Sequence, residues 1–388
     1  MQKVLLKDQL FNEGKIKIMA EQIEAVHGGF KSKLFVKEVV EQFEYLELKQ
    51  RVTHVAECLN RHLTEDYESS VSILIKSLPK ENNEEILDGE FGDFIYASYS
   101  EYVVNYGAKK KHLQTSLQAL EDITKRFSSE YAIRDFINEF EEDVLSKLLS
   151  WSKDNNHYVR RLSSEGSRPK LPWGKKINLD IKDGIKILDN LYFDKSRFVT
   201  RSVANHINDI SKINPELAVD TLKRWQKENQ KNKIQSEKEM DYIINHSLRT
   251  LVKNGNKEAF ELLNVSHKTP IILSDFQMKK SINMDDDLEF SFVLRIENPK
   301  SSTKKENNKK ENIVVDYVIY FAGKNGEIKN KKIYKIKKLK LANQEELRIN
   351  KKHRMRSDMT TRKIYKGKYK VEILVNAKVL ASQNFEIV

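Results

Sequence analysis

Between Val159 and Trp173 the chain reads VRRLSSEGSRPKLPW. This short run holds Arg160, Arg161, Arg168, Lys170, the single carboxylate Glu165 and the aromatic Trp173, with Lys175 and Lys176 just beyond. A guanidinium fork fits two oxygens of a phosphate or of a carboxylate at once. The cluster therefore has two uses: gripping a phosphate-bearing polyanion, or forming salt bridges to the acid-rich residues that precede it. Pro169 and Pro172 stiffen the segment and hold its side chains in place. Trp173, beside Gly174 in a proline-bounded loop, offers a flat face for stacking. Trp151, at an apolar helical position, reads as core, and Trp225 lies further on.

Two further acids stand in polar company. Asp209 lies in SVANHINDISK with Asn205, His206 and Asn208, and Glu130 follows two serines in SSEYAIRDF. Each acid also has a structural reading: Glu165 at a helix end before Gly166, Glu130 in a capped first helical turn. Three carboxylates on one surface would stabilise a cation. Sequence alone does not decide whether these three converge. Asp154 is a fourth, reserve acid. His157 and His206 lack metal-ligand spacing with any partner, and the lone cysteine, Cys58, cannot form a disulfide within the chain. No glycine-rich phosphate loop and no Ser/His/Asp or Cys/His nucleophile pattern is present. Neither a metal nor a cofactor is expected.

The elements that must position these residues are helical up to about 264, with apolar residues at three- and four-residue spacing. WSKDNNHYVRRLSSE from Trp151 aligns with LYFDKSRFVTRSVAN from Leu191. Asp154 then falls on Asp194, Tyr158 on Phe198, Val159 on Val199 and Arg161 on Arg201. An offset of 40 residues suits a HEAT-type unit, with a third, fainter unit at 241–263. After 265–276 the texture changes to alternating β-branched and aromatic runs, and GKNGE at 323–327 reads as a hairpin turn. About seven short strands predict a sandwich of immunoglobulin type. KSSTKKENNKKEN at 300–312 reads as a polar, mobile loop. The expected domains are 1–266 and 271–388: an all-α HEAT-like helical-repeat solenoid followed by an all-β immunoglobulin-like sandwich.

Charge follows the same division. The net charge is +12. Residues 1–150 hold 19 Lys+Arg against 27 Asp+Glu, residues 151–270 hold 23 against 15, and residues 271–388 hold 27 against 15. Basic excess begins where the opening motif begins, as suits a bound polyanion. A general lysine bias of the composition is the plain alternative. The N-terminal segment lacks the pattern of a signal peptide, and no apolar stretch reaches membrane-spanning length, so a cytosolic protein is expected.

The strings SSEYAIRDFI, VRRLSSEGSRPKLPWG and RSVANHINDISK, in this order and spacing, resemble the AlkC-type bacterial DNA glycosylases of the HEAT-like-repeat DNA alkylation repair superfamily. The resemblance covers roughly residues 1–264, and many members also carry a C-terminal immunoglobulin-like domain. It implies hydrolysis of the N-glycosidic bond of cationic alkylated bases, chiefly 3-methyladenine and 3-methylcytosine, in duplex DNA without base flipping. It implies that Glu165, Asp209 and Glu130 are the catalytic acids and that Trp173 packs against the damaged nucleotide. Arg160, Arg161, Arg168, Lys170, Lys175 and Arg201, with Asn205 and Asn208, are then the DNA-binding set. AlkD-type relatives use an Asp with two Trp residues; glutamates and fewer aromatics stand here, so that pattern does not carry over. A bacterial, cytoplasmic monomer that meets the nucleoid through DNA is the expected setting. A non-catalytic HEAT-repeat protein holding bent or branched DNA is the alternative. A protein-binding scaffold fits less well with the positive charge and the lack of disulfides.

Overall fold

The computed structural model describes residues 5–63, 65–81, 92–297, 310–359 and 362–388. Residues 300–309 of the polar stretch expected to be a mobile loop lie outside them. The helices are α1 (Leu6–Leu10), α2 (Glu13–Val26), α3 (Ser32–Glu41), α4 (Leu48–His62), α5 (Tyr67–Ser77), α6 (Ala97–Gly107), α7 (Leu113–Thr124) and α8 (Ile133–Glu139). They continue as α9 (Glu141–Trp151), α10 (His157–Gly166), α11 (Ile181–Leu188), α12 (Arg197–Ile210), α13 (Pro215–Asn232), α14 (Glu237–Ser247), α15 (Arg249–Lys253) and α16 (Lys257–Leu262). Two compact units form: Met1–Asn214 with Arg224–Ser247, and Pro215–Lys223 with Leu248–Val388.

In the first unit the 40-residue offset is physical. Before α10, Asp154 Oδ1 accepts from Asn156 N at 2.7 Å; before α12, Asp194 Oδ1 accepts from Ser196 N at 2.8 Å. Each aspartate turns the chain into its helix. The aligned pairs Tyr158/Phe198 and Val159/Val199 are all buried, and the two rings meet edge to face at 5.9 Å. Full burial of Leu162, Val199, Val203 and Ile207 stabilises the stack by about 1.5–3 kcal/mol per side chain. Polar ties recur at the same spacing. Ser202 bonds Ser164 across 38 residues, Asn208 Nδ2 bonds the Ser247 carbonyl across 39, and Arg168 bonds Asp209 across 41. α10 ends at Gly166, where a Cβ would meet Ile133 Cγ2 at 2.4 Å, so α8 and α10 approach through a residue that must be glycine.

The second unit is built on two sheets. Strands β1 (Ile271–Met278), β3 (Asp287–Ile296) and β6 (Glu346–Arg354) form one, in order β1-β3-β6. Strands β2 (Ser281–Ile282), β4 (Glu311–Ala322), β5 (Ile328–Leu341), β7 (Gly367–Val375) and β8 (Lys378–Ile387) form the other, in order β2-β8-β7-β4-β5. Alternate residues of β4, from Ile313 to Phe321, join Phe290, Phe292 and Leu294 of β3 in one core. That is the alternation a sandwich requires. The β4–β5 hairpin turns at GKNGE, where Gly326 takes φ +77°. β5 is an edge strand, and its lysines keep that edge soluble. The last helices group with the sheets: Asn312 Nδ2 donates to the carbonyls of Leu263 and Asn264 at 3.3 and 3.2 Å, and Asn376 Nδ2 to that of Ser266 at 2.9 Å.

Candidate active site

Stacking at one-repeat spacing brings the three acids nominated from sequence into one buried cluster. Glu130 comes from the turn before α8, Glu165 from the last turn of α10 and Asp209 from the end of α12. Their residues are 7%, 5% and 2% exposed. Two guanidiniums tie them together. Arg161 Nη1 bonds Glu130 Oε2 at 2.7 Å, and its Nη2 lies 3.9 Å from Glu165 Oε1. Arg168 Nη1 bonds Glu165 Oε1 at 2.5 Å, while its Nε and Nη2 lie 2.9 and 2.8 Å from Asp209 Oδ2. The chain of charge runs Glu130, Arg161, Glu165, Arg168, Asp209.

Hydroxyls complete the cluster. Ser128 Oγ donates to Glu130 Oε2 at 2.6 Å, and Ser202 Oγ lies 2.6 Å from Glu165 Oε2 and 2.8 Å from Ser164 Oγ. Lys212 Nζ reaches Asp209 Oδ1 at 2.8 Å. Buried charges persist only when paired and hydrogen-bonded in this way. Burial pushes the Glu165 carboxyl up. The guanidiniums of Arg161 and Arg168 and the Ser202 hydroxyl outweigh it and hold the group below the usual carboxylate range. Burial likewise works against the charge on both arginines, and the facing carboxylates hold them protonated.

The other expected site residues are distributed around this cluster. Arg160 forms a two-pronged pair with Asp194, Nε–Oδ2 2.5 Å and Nη2–Oδ1 3.0 Å. All three arginines of the motif therefore face carboxylates, the salt-bridge use of the fork. Lys170 is exposed, and Lys175 is exposed and paired with Asp135. Arg201 is half-buried. Asn205 Oδ1 lies 2.9 Å from His246 Nε2, and Asn208 reaches the Ser247 carbonyl, so both asparagines tie α12 to α14. Trp173 is 77% exposed and sits at φ +64°, a left-handed conformation rare for a bulky residue. Trp151 and Trp225 are fully buried. The reserve acid Asp154 serves its turn. Among the described residues, no group of three or more His, Cys, Asp or Glu is arranged to hold a metal, and no helix is long and apolar enough to cross a membrane.

Residues 50–240 match the model of the DNA alkylation repair enzyme family, and residues 273–388 match the C-terminal Ig-like domain of the uncharacterised protein YhaZ. Over 384 residues, 98% of each chain, the sequence is 30% identical to the uncharacterized protein YhaZ of Bacillus subtilis (strain 168). The fold is similar to that of the Pseudomonas fluorescens alkylpurine DNA glycosylase AlkC bound to DNA containing an abasic site analog. That match has a TM-score of 0.85 and 31% identity, and covers 99% of both chains. The chain belongs to the DNA alkylation repair enzyme family. The resemblance carried by its three motif strings is confirmed, as is the helical-repeat region followed by an Ig-like sandwich.

Several residues that build this family member's cluster had no sequence signal of their own. Ser128 and Ser202 are hydroxyls among many. Asp194 was visible only as the repeat partner of Asp154. Arg134, in the middle of SSEYAIRDFI, is buried and donates to three backbone carbonyls: Gly166 at 2.8 Å, Arg168 at 2.9 Å and Lys175 at 2.5 Å. Burial, reinforced by the charge of Arg168, pulls its pKa down to about 10, so it stays charged at neutral pH. His206 is also buried. Its Nδ1 lies 3.0 Å from the Ser164 carbonyl, which fixes the proton on that nitrogen, and among the described residues its Nε2 has no hydrogen-bond partner. Burial, with the charge of Arg168, lowers its pKa to about 4.

Proposed function

We propose that the chain is a monofunctional DNA glycosylase that releases cationic alkylated bases, 3-methylcytosine and 3-methyladenine, from duplex DNA. The observation that carries this reading is the convergence of Glu130, Glu165 and Asp209 in one low-dielectric cluster. The whole-chain likeness to a DNA-bound alkylpurine glycosylase supports it. Methylation of a ring nitrogen gives the base a positive charge and makes it a good leaving group. The enzyme needs little general-acid help; it needs negative charge against an oxocarbenium-like sugar and a placed water. Ionised carboxylates supply that charge and favour a cationic base over a neutral one.

In this reading Arg161 and Arg168 hold the acids in place and keep Glu165 ionised, and a cationic lesion competes with their guanidiniums for the same oxygens. Arg160 holds the turn before α12 through Asp194. Phosphate contacts then fall to Lys170, Lys175 and Arg201, and to the lysine-rich second unit. Asn205 and Asn208 fix the helix that presents Asp209. Trp173 packs against the damaged nucleotide, adding cation–π attraction to a charged ring. The resemblance further supports attack on the base within the stack, in contrast to extrusion into a pocket.

One observation favours a second reading. The acids are fully paired and almost sealed, as they would be in a protein that only holds DNA. Duplexes carrying a single 3-methylcytosine, a single 3-methyladenine or no lesion separate the two. Free base appearing from the lesion duplexes alone is the expected result. Tight binding of all three with no released base makes the chain a binder. A 2-aminopurine beside the lesion stays quenched on binding if the base is not extruded.

A further inference from the structure

We infer that Arg134, assisted by Asn138, is the positioning residue of the site: it fixes the loop of residues 166–178, which carries both Arg168 and Trp173. The inference rests on the glycosylase reading for its kinetic consequence, but its geometry stands apart from it.

The loop has little regular structure, so its carbonyls need donors. Helix α8 supplies them. Arg134 takes the carbonyls of Gly166, Arg168 and Lys175, so one guanidinium grips both ends of the loop. One turn on, Asn138 Nδ2 donates to the Lys176 carbonyl at 2.9 Å, and its Oδ1 accepts from Asn178 N at 3.3 Å. Asp135 adds an ion pair to Lys175. At the tip, Lys49 Nζ holds the Trp173 carbonyl at 3.0 Å. Gly174 lets the chain pass, since a Cβ there would lie 3.0 Å from Leu171 Cδ2 and 3.2 Å from Arg134 Cδ.

Two features separate this from ordinary loop packing. First, Arg134 is 1% exposed and forms no ion pair with a carboxylate among the described residues. A guanidinium desolvated against carbonyls, with the site carboxylates near but none in ion-pair contact, is a poor stability device. Its three donors in a rigid plane are instead a good geometric one. Second, Trp173 is exposed and left-handed, a conformation that persists only where the surroundings over-determine it. Its side chain is largely exposed, so the anchored backbone must hold it. Arg134 is too deeply buried to meet a phosphate and acts through Arg168, which spans Glu165 and Asp209, and through Trp173.

The test uses the full chain with Arg134→Gln, Arg134→Lys and Asn138→Ala. Trp173 is a clean reporter because the other two tryptophans are fully buried. The difference in time-resolved anisotropy between each variant and its Trp173→Phe counterpart isolates it. The expected result is a fast local motion of Trp173 in Arg134→Gln and Asn138→Ala, with partial recovery in Arg134→Lys. For release of 3-methylcytosine, kcat falls by up to about 100-fold in Arg134→Gln with KM unchanged. Asn138 is exposed, so its variant keeps the fold and carries the decision if Arg134→Gln does not. A Trp173 as rigid as in wild type, or a mobile Trp173 with wild-type kcat, overturns the inference; so does a loss that lies wholly in KM. If wild type releases no base, the glycosylase reading falls, and the anisotropy still decides whether α8 fixes the loop.

Discussion

The two units carry positive charge in opposite ways. In the helical unit Arg161 and Arg168 are buried between carboxylates. In the sandwich unit the edge strand β5 leaves Lys329, Lys331, Lys332, Lys335, Lys337 and Lys340 at least partly exposed. A charge count along the sequence treats the two alike. The difference teaches that the basic excess beginning at residue 151 is in part internal, where it fixes carboxylates, whereas the excess after residue 271 faces solvent. Internal charge acts over a few ångströms and resists salt; surface charge acts at longer range and is screened.

The sharpest way to break the comparison is to delete one cation from each unit. Arg168→Met leaves Glu165 and Asp209 desolvated without their shared partner. It should cost about 3–5 kcal/mol in urea unfolding. Lys337→Ala on β5 should stay within about 0.5 kcal/mol of wild type. Equal effects would mean that the buried pairing holds nothing together.

Salt sharpens it next. Every phosphate that the protein no longer neutralises lowers the slope of log K against log salt by about 0.9. Replacing Lys337 and Lys340 with Gln should flatten the slope for DNA binding by up to about 1.8. Arg161→Gln should leave the slope as it is, since that guanidinium faces Glu130. A flatter slope for Arg161→Gln would put it on a phosphate.

The three acids, the motif arginines and Trp173 were all legible as candidates, and the 40-residue offset was visible in Asp154/Asp194 and Val159/Val199. Convergence of the acids was not, because it depends on stacking, which no single string encodes. The partner of each arginine was not legible either, since a guanidinium fork fits phosphate and carboxylate equally well. Arg134 was hidden for a related reason: its partners are backbone carbonyls, which every residue has. The grouping of α15 and α16 with the sheets was invisible too, since the ties just past α16 run from the side chains of Asn312 and Asn376 to backbone carbonyls.

A smaller effect separates the units by pH. His206, with its pKa lowered to about 4, stays neutral in the folded chain while the unfolded chain takes up a proton near 6.5. The stability it contributes is complete above about 6.5 and is lost as the pH falls through about 4. Glu165, held below the usual range, adds to that loss at still lower pH. In the sandwich, burial raises the Asp316 pKa to about 6 against the pull of Lys335 and Lys253. Its contribution is complete below the ordinary aspartate value and is lost as the pH rises through about 6. Hydrogen exchange, corrected for intrinsic rates, should show the helical unit losing protection between pH 7 and pH 5 while the strands around Asp316 gain it. His206→Gln should remove the first change and Asp316→Asn the second.

The most direct test of the central claim, that the buried carboxylates do the chemistry, is single-turnover release of 3-methylcytosine by Glu165→Gln and Asp209→Asn, each with its DNA affinity measured in parallel. The account predicts that release falls by about 100-fold or more in both variants while DNA binding is retained. Release at the wild-type rate from either variant would contradict it.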